Sequence, residues 1–369
     1  MPADRTVRTV VSIVGTRPEA IKLRPIVRAF AERRLDQQLI LTNQHRGLTG
    51  AFDFLPNDSV LRLDLDPTEQ SAGEISEAIH YQLCERLDRR AAGLILVQGD
   101  TSSAYAGALA ARDQDIALGH VEAGLRSHDL GQPWPEEGYR IAIDHLSDLL
   151  FAPSGRAAGN LAAEPQVRGA VHVTGNSGID ALLEARGRPP PLPSAEPGRK
   201  RILLTCHRRE NRGEPLRRIA EACRRLVREL PVEIVLPLHP APDLRLSFKR
   251  LLGGVPHVRL IEPLSHEDNV ALMESSWLIL TDSGGIQEEA PALGRPLLIL
   301  RNVTERPEAI DSANAEIVGT RSDRIFDAVT SLHQDEVRYR RMATPAFPFG
   351  DGKAAPRIAD IVERFLLAR

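Results

Sequence analysis

A chain of 369 residues, 42 % hydrophobic and 26 % charged, has the size of two ordinary domains and the composition of a soluble globular protein. Its 47 basic and 50 acidic residues leave a net charge of −3 with no dominant block of either sign, which argues against nucleic-acid or membrane-surface binding driven by bulk charge. Three widely spaced cysteines (Cys84, Cys206, Cys223) form no zinc pattern and suit a reducing compartment; with no long apolar leader and no apolar run of about 18 residues, a cytoplasmic protein is expected.

Short apolar runs at 9–14, 38–43, 93–98, 116–124, 149–154 and 170–175 alternate with turn-rich and amphipathic stretches, the pattern of parallel βαβ units. Residues 186–200, RGRPPPLPSAEPGRK, break it, because proline at this density stiffens the chain and prevents pairing. A second alternation follows, with runs at 201–206, 232–238, 258–263, 277–282, 296–301 and 315–320. The expected architecture is α/β: two doubly wound Rossmann-like domains facing a cleft, residues 1–185 and 201–350, joined by the Pro-rich linker. Residues 351–369 are read as a C-terminal helix returning to the first domain. In such sheets ligands sit beyond the carboxyl ends of the strands.

Polar residues collect at those ends. After the first run, GTRPEAIKLRP (15–25) places Arg17 at a strand-to-helix corner, with Pro18 and Glu19 suited to the first helical turn. Arg17 is either an exposed residue beside a helix cap or a phosphate ligand at a helix start. QGDTSSAYAGALAA (98–111) supplies Asp100, a helix cap or an acid–base group. GHVEAGLRSHDLGQPWPEEGYR (119–140) holds His120, Glu122, Arg126, Glu136, Glu137 and Arg140. Glu122 ends an apolar strand, where burial without a partner would be costly and would raise its pKa toward acid–base use. In the second half, TCHRRENRGEPLRRI (205–219) offers His207, Arg208 and Arg209; LPLHPAP (236–242) offers His239; and RNVTERPEAI (301–310) offers Glu305 and Arg306. TDSGGIQEEAPALG (281–294) puts a Ser283-Gly284-Gly285 turn before a helix, a phosphate cradle of backbone N–H groups. Glu288 and Glu289, one turn on, either favour the helix dipole or accept hydrogen bonds from a ribose diol. The histidines lack metal-site spacing, and no metal is expected.

Together, GTRPEAIKLRP, QGDTSSAYA, GHVEAGLRS, PWPEE with Arg140, TGNSGIDAL, CHRREN, TDSGGIQEEAPALG, TERPEA and GDGKAAPRI closely resemble the non-hydrolysing UDP-N-acetylglucosamine 2-epimerases, from about residue 9 to 366. The resemblance implies a glycosyltransferase-B type fold, a cytoplasmic homodimer, and interconversion of UDP-N-acetylglucosamine with UDP-N-acetylmannosamine without NAD or a metal. It implies that the Ser283-Gly284-Gly285 turn holds the diphosphate, that Glu289 binds the ribose, and that Arg17, His207 and Arg306 complete the nucleotide site. The positions matching the family's catalytic groups are Asp100, Glu122, Glu136 and His207, with Arg140 orienting them. The implied chemistry is elimination of UDP to a 2-acetamidoglucal and its re-addition, in a cleft closed against water.

Departures from the family pattern fall in GLTGAFDFLPND (47–58), in EQS (69–71), at His128, Gly131 and Gln132, and at Asn302-Val303. The first two regions would build a second, activating UDP-N-acetylglucosamine site. Weak or absent activation is therefore expected, with Gln44, His45 and Arg46 as a residual site. Rival readings are a 2-epimerase of a related UDP-sugar, a hydrolysing 2-epimerase, a non-catalytic nucleotide-sugar binder and a glycosyltransferase. A binder would have no use for Asp100, Glu122 and Glu136.

Overall fold

The computed structural model describes residues 8–45, 48–65, 71–131 and 133–368. The chain divides into two compact units, 1–181 with 349–369, and 182–348.

The first unit runs β1 (Thr9–Val14), α1 (Arg17–Glu32), β2 (Gln37–Leu41), β3 (Val60–Arg62), α2 (Ala72–Arg86), β4 (Ala92–Gln98), α3 (Ser102–Asp113), β5 (Leu118–Val121), α4 (Glu136–Leu146), β6 (Leu149–Ala152), α5 (Gly155–Ala162), β7 (Ala170–Val173) and α6 (Ser177–Ala185), whose last turn passes into the second unit. Its seven strands form one parallel sheet in the order β3-β2-β1-β4-β5-β6-β7. The alternation of β1 shows why it is central: Val10 and Val14 enter the core under α1, while Val11 and Ile13 enter the core under α2 and α3. A strand buried on both faces needs an apolar residue at nearly every position, which is why its sequence reads as a continuous run.

The second unit runs β8 (Lys200–Thr205), α7 (Glu214–Glu229), β9 (Val232–Pro237), α8 (Pro242–Leu252), β10 (Val258–Ile261), α9 (His266–Glu274), β11 (Leu278–Thr281), α10 (Gly284–Ala292), β12 (Leu297–Ile299), α11 (Glu308–Asp311), β13 (Ala315–Ile317), α12 (Ser322–Gln334) and α13 (Glu336–Met342). Six parallel strands take the order β10-β9-β8-β11-β12-β13. Leu216, Ile219, Ala220, Cys223, Leu226 and Val227 form the buried stripe of α7, spaced as one helical face. No regular element occupies 186–199.

The last helix, α14 (Ala354–Leu367), belongs to the first unit. Ile358, Ala359 and Val362 join Leu23, Val27 and Phe30 of α1 in one core. Asp180 accepts hydrogen bonds from the N–H groups of Ala354 and Ala355, so a carboxylate meets the positive start of α14.

Each sheet reverses its strand order beside its first strand, between β1 and β4 in one unit and between β8 and β11 in the other. At such a switch point neighbouring connections leave toward opposite faces and open a crevice beyond the strand ends. The turns there are 15–16 and 99–101 in the first unit, and 206–213 and 282–283 in the second. The apolar runs read from the sequence coincide with twelve strands; β3 is the one without such a run.

Candidate active site

In the first unit, Thr16 caps α1 and forms a reciprocal capping box with Glu19. Oε2 of Glu19 accepts from the N–H groups of Gly15 (3.0 Å) and Thr16 (2.6 Å), and Oε1 accepts from the Thr101 hydroxyl (2.6 Å). One carboxyl thus ties the β1–α1 turn to the β4–α3 turn. Burial pushes the Glu19 carboxyl up to about 7, against hydrogen bonds from Thr101, Thr16 and Gly15 that favour its charged form. Arg17, next to the cap, is exposed at the first position of α1.

Asp100 sits in the β4–α3 turn and is ion-paired with Arg140 Nη2. Arg140 is buried, and its Nη1 also donates to Glu137 Oε2 at 2.6 Å. Glu137 in turn accepts from the N–H groups of Ser127 and His128, so it anchors the loop before α4. Glu122 lies one residue beyond β5, in register with the end of β4 because Gln98 pairs with Val121. It adopts φ 71°, a left-handed conformation uncommon for a residue with a Cβ and typical of functional turns. Its Oε2 receives Lys22 Nζ at 2.6 Å and a short hydrogen bond from Gln98. Glu122 is buried, and a lysine from α1 lies against it. Glu136 opens α4, and its Oε2 is buried without a hydrogen-bond partner among the described residues.

His120 and Arg126 have a structural role. His120 is fully buried, with Nδ1 2.6 Å from Asp144 and Nε2 2.9 Å from the Gly99 carbonyl, and Arg126 Nη1 lies 2.7 Å from Asp144. Burial opposes ionisation of Asp144, but His120 and Arg126 outweigh it and hold the carboxyl below its ordinary range.

In the second unit the organiser is Asp282, which is fully buried. It accepts from the N–H groups of His207 and Arg208 and from the Asn211 side chain, fixing the loop after β8. His207 Nδ1 stands 3.3 Å from Asp282, and its ring meets that of His239 edge-on at 5.5 Å. Burial lowers the His207 pKa, with Arg208 and His239 adding to it and Asp282 opposing, so the imidazole is neutral at neutral pH.

Ser283 caps α10 without a side-chain capping bond. Arg306 lies against the turn so closely that a Cβ on Gly284 would come 2.7 Å from its Cζ, so any side chain there would displace the guanidinium. A Cβ on Gly285 would meet nothing within 4 Å. Arg306 is held by Glu288 Oε1 (2.6 Å to Nε) and Glu305 Oε1 (2.6 Å to Nη1), and Glu305 also accepts from Arg301 at 2.8 Å. Burial opposes ionisation of Glu305, but the guanidiniums of Arg306, Arg301 and Arg208 hold its carboxyl far below the usual range. Glu289 faces elsewhere, with Oε1 3.2 Å from His266 Nε2. The two adjacent carboxylates are thus separated in function by the turn of the helix: Glu288 fixes a cation, and Glu289 remains at the edge with a histidine.

Within the first unit the structure brings together Asp100 with Arg140, and in the second it joins Gly284 with Arg306. Sequence reasoning passed over Lys22, Asp282, His266 and the anchoring parts of Glu137 and Glu288. Lys22 had a signal, as one of four lysines in an arginine-rich chain. Of the residual activator positions, Gln44 accepts from the N–H and hydroxyl of Ser103, and His45 donates its N–H to the Gly15 carbonyl. Arg46, Gly47, Glu69, Gln70 and Gln132 lie outside the described residues. Among the described residues no helix is long and apolar enough to cross a membrane.

A family profile described as UDP-N-acetylglucosamine 2-epimerase matches residues 28–363. A UDP-N-acetylglucosamine 2-epimerase from Yersinia pestis is 40 % identical over 371 residues, covering 95 % of this chain and 96 % of the relative. Among solved structures, UDP-GlcNAc 2-epimerase from Neisseria meningitidis bound to UDP-GlcNAc has a TM-score of 0.88 at 36 % identity, covering 96 % of this chain and 100 % of the other. The Methanocaldococcus jannaschii enzyme in complex with UDP-GlcNAc and UDP has a TM-score of 0.82 at 33 % identity, covering 96 % and 99 %. The two parallel sheets are those of the glycosyltransferase-B type fold, and the chain belongs to the UDP-N-acetylglucosamine 2-epimerase family.

Proposed function

We propose that this chain reversibly inverts C2 of UDP-N-acetylglucosamine to give UDP-N-acetylmannosamine. The observation that carries the reading is the set of three first-unit carboxylates. Asp100 and Glu122 stand at adjacent strand ends, beside Arg140 and Lys22 respectively, and Glu136 Oε2 is buried without a hydrogen-bond partner among the described residues. In the forward direction one carboxylate takes the C2 proton, the C2–H electron pair becomes the C1–C2 double bond, and the C1–O bond breaks with its pair leaving on UDP. A second carboxylate then protonates C2 of the 2-acetamidoglucal on the opposite face, and UDP re-adds at C1. His207, Arg306, Arg17 and the N–H groups after Ser283 bind the diphosphate and stabilise its departing charge, while Glu289 accepts from the ribose hydroxyls. Arg140 holds Asp100 in place.

The test is incubation with UDP-N-acetylglucosamine in D2O followed by NMR. Deuterium at C2 of UDP-N-acetylmannosamine is the expected result. Release of free N-acetylmannosamine would assign a hydrolysing reaction, and unchanged substrate would sink the reading. The same proposal includes a cytoplasmic homodimer, checked by fractionation and light scattering. It also includes weak or absent activation by UDP-N-acetylglucosamine, checked by whether the reverse reaction proceeds without a lag.

A further inference from the structure

Away from these residues, α2 carries His80 and Cys84 four positions apart, on one stripe of the helix, facing the end of α3. His80 Nε2 is 2.9 Å from Oδ2 of Asp113, the last residue of α3, and 3.4 Å from Cys84 Sγ. One ring nitrogen thus faces both a carboxylate and a thiol, and the three ligand atoms all lie within 4.8 Å of one another. We propose that His80, Cys84 and Asp113 bind a divalent transition-metal ion of borderline softness, such as Zn2+, which clasps α2 to the end of α3.

The donor set decides the class of ion. Thiolate and imidazole select zinc-like ions over calcium or magnesium, which take oxygen ligands. Metal–ligand bonds of about 2.0–2.3 Å set tetrahedral ligand atoms about 3.3–3.8 Å apart. The observed spacing therefore closes around an ion by small rotations at the ends of three side chains. On binding, the thiol proton passes to the buffer, the imidazole contributes a nitrogen lone pair, and thiolate plus carboxylate neutralise the ion's charge. His80 and Asp113 are 28 % and 56 % exposed, which gives the ion an entry path and leaves a fourth position toward solvent. The other two thiols are poor competitors: burial pushes Cys223 up to about 12 and Cys206 well above its ordinary value.

The test uses the full chain, reduced with a phosphine and titrated anaerobically with Co2+. A thiolate-to-cobalt charge-transfer band at one ion per chain, displaced by Zn2+, is expected. Cys84→Ser should abolish it, and His80→Ala and Asp113→Asn should each weaken Co2+ binding by about tenfold or more. Zn2+ should also raise the melting temperature of the wild type but not of Cys84→Ser. Circular dichroism without metal checks that each variant folds, and Asp113→Asn decides the matter should Cys84→Ser misfold. Absence of the band, or a band that survives Cys84→Ser or is unmoved by Asp113→Asn, overturns the site.

Discussion

Glu19 in the first unit and Glu305 in the second are both buried carboxylates, yet they are driven in opposite directions. Glu19 is held by backbone N–H groups and a threonine hydroxyl, and burial raises it to about 7. Glu305 is surrounded by three guanidiniums, and it is driven down. The contrast extends to the sites around them. In the first unit, the carboxylates Asp100 and Glu122 stand on turns and Glu136 at the start of α4, and cations from neighbouring helices steady the first two. In the second unit the carboxylates are the struts, with Glu288 and Glu305 fixing Arg306 beside the Gly284 turn. Burial alone thus says little about a carboxylate's role; which partner shares the burial decides whether it offers a proton site or holds a cation.

The sharpest break in that comparison separates turnover from nucleotide affinity. Glu122→Gln, Asp100→Asn and Glu136→Gln should each cut turnover by about 100-fold or more, as loss of acid–base groups does. UDP affinity, which the proposal assigns to the second unit's residues, should stay within a few-fold. Steady-state kinetics alongside calorimetry with UDP checks both halves. Near-normal rates in all three variants would remove the first unit's carboxylates from the chemistry.

Stability against pH tests the opposed carboxylates directly. Because folding raises the Glu19 pKa from 4.5 to about 7, its contribution is fully present below about pH 4.5 and is lost as pH rises to about 7. The shift corresponds to about 3 kcal/mol across that window. Glu305 has the reverse sign: its contribution is fully present above the ordinary carboxylate range and is lost progressively as pH falls below it. Urea unfolding of wild type and Glu19→Gln at a series of pH values isolates the first term. The wild type should lose stability relative to the variant between about pH 4.5 and 7. Parallel curves would show that Glu19 titrates normally.

The fold was legible because strands buried on both faces must be continuously apolar, so β1, β4 and β8 announce themselves. The short edge strand β3 escaped, since three residues with one pairing neighbour carry no periodicity. The run at 116–124 overran its strand because Glu122 turns out of the extended region at φ 71°. At the site, strand-end positions such as Asp100 and Ser283 followed from the architecture. Their partners did not: Lys22 and Glu122 are 100 residues apart, and His207 and Asp282 are 75 apart. Only the packed sheet brings such residues together. Glu288 and Glu289 look equivalent in sequence, but successive helical residues point about 100° apart and so meet different neighbours.

That divergence gives the next test. Glu289→Gln should weaken UDP binding by about 1–3 kcal/mol, because a carboxylate accepts a ribose diol with two charged oxygens and an amide with one neutral one. The change leaves Arg306 on its struts, so turnover at saturating substrate should move less than affinity. Unchanged calorimetry with UDP would leave Glu289 with only its His266 contact and the helix dipole.

The smallest expected effect distinguishes two adjacent glycines. Gly284→Ala would drive a Cβ to within 2.7 Å of the Arg306 guanidinium, so any loss of UDP binding there confounds the turn with the displaced arginine. Gly285→Ala avoids this, since its Cβ would enter open space and its backbone is helical. Replacing glycine by alanine within a helix should raise stability, by up to about 1 kcal/mol. If a phosphate approaches this backbone, the same methyl group stands in its way, and UDP affinity should fall by about tenfold, or ~1.4 kcal/mol. A variant that melts higher but binds UDP more weakly places the diphosphate on the α10 turn. One that melts higher and binds UDP unchanged would move the diphosphate elsewhere, leaving Gly285 only its helical geometry.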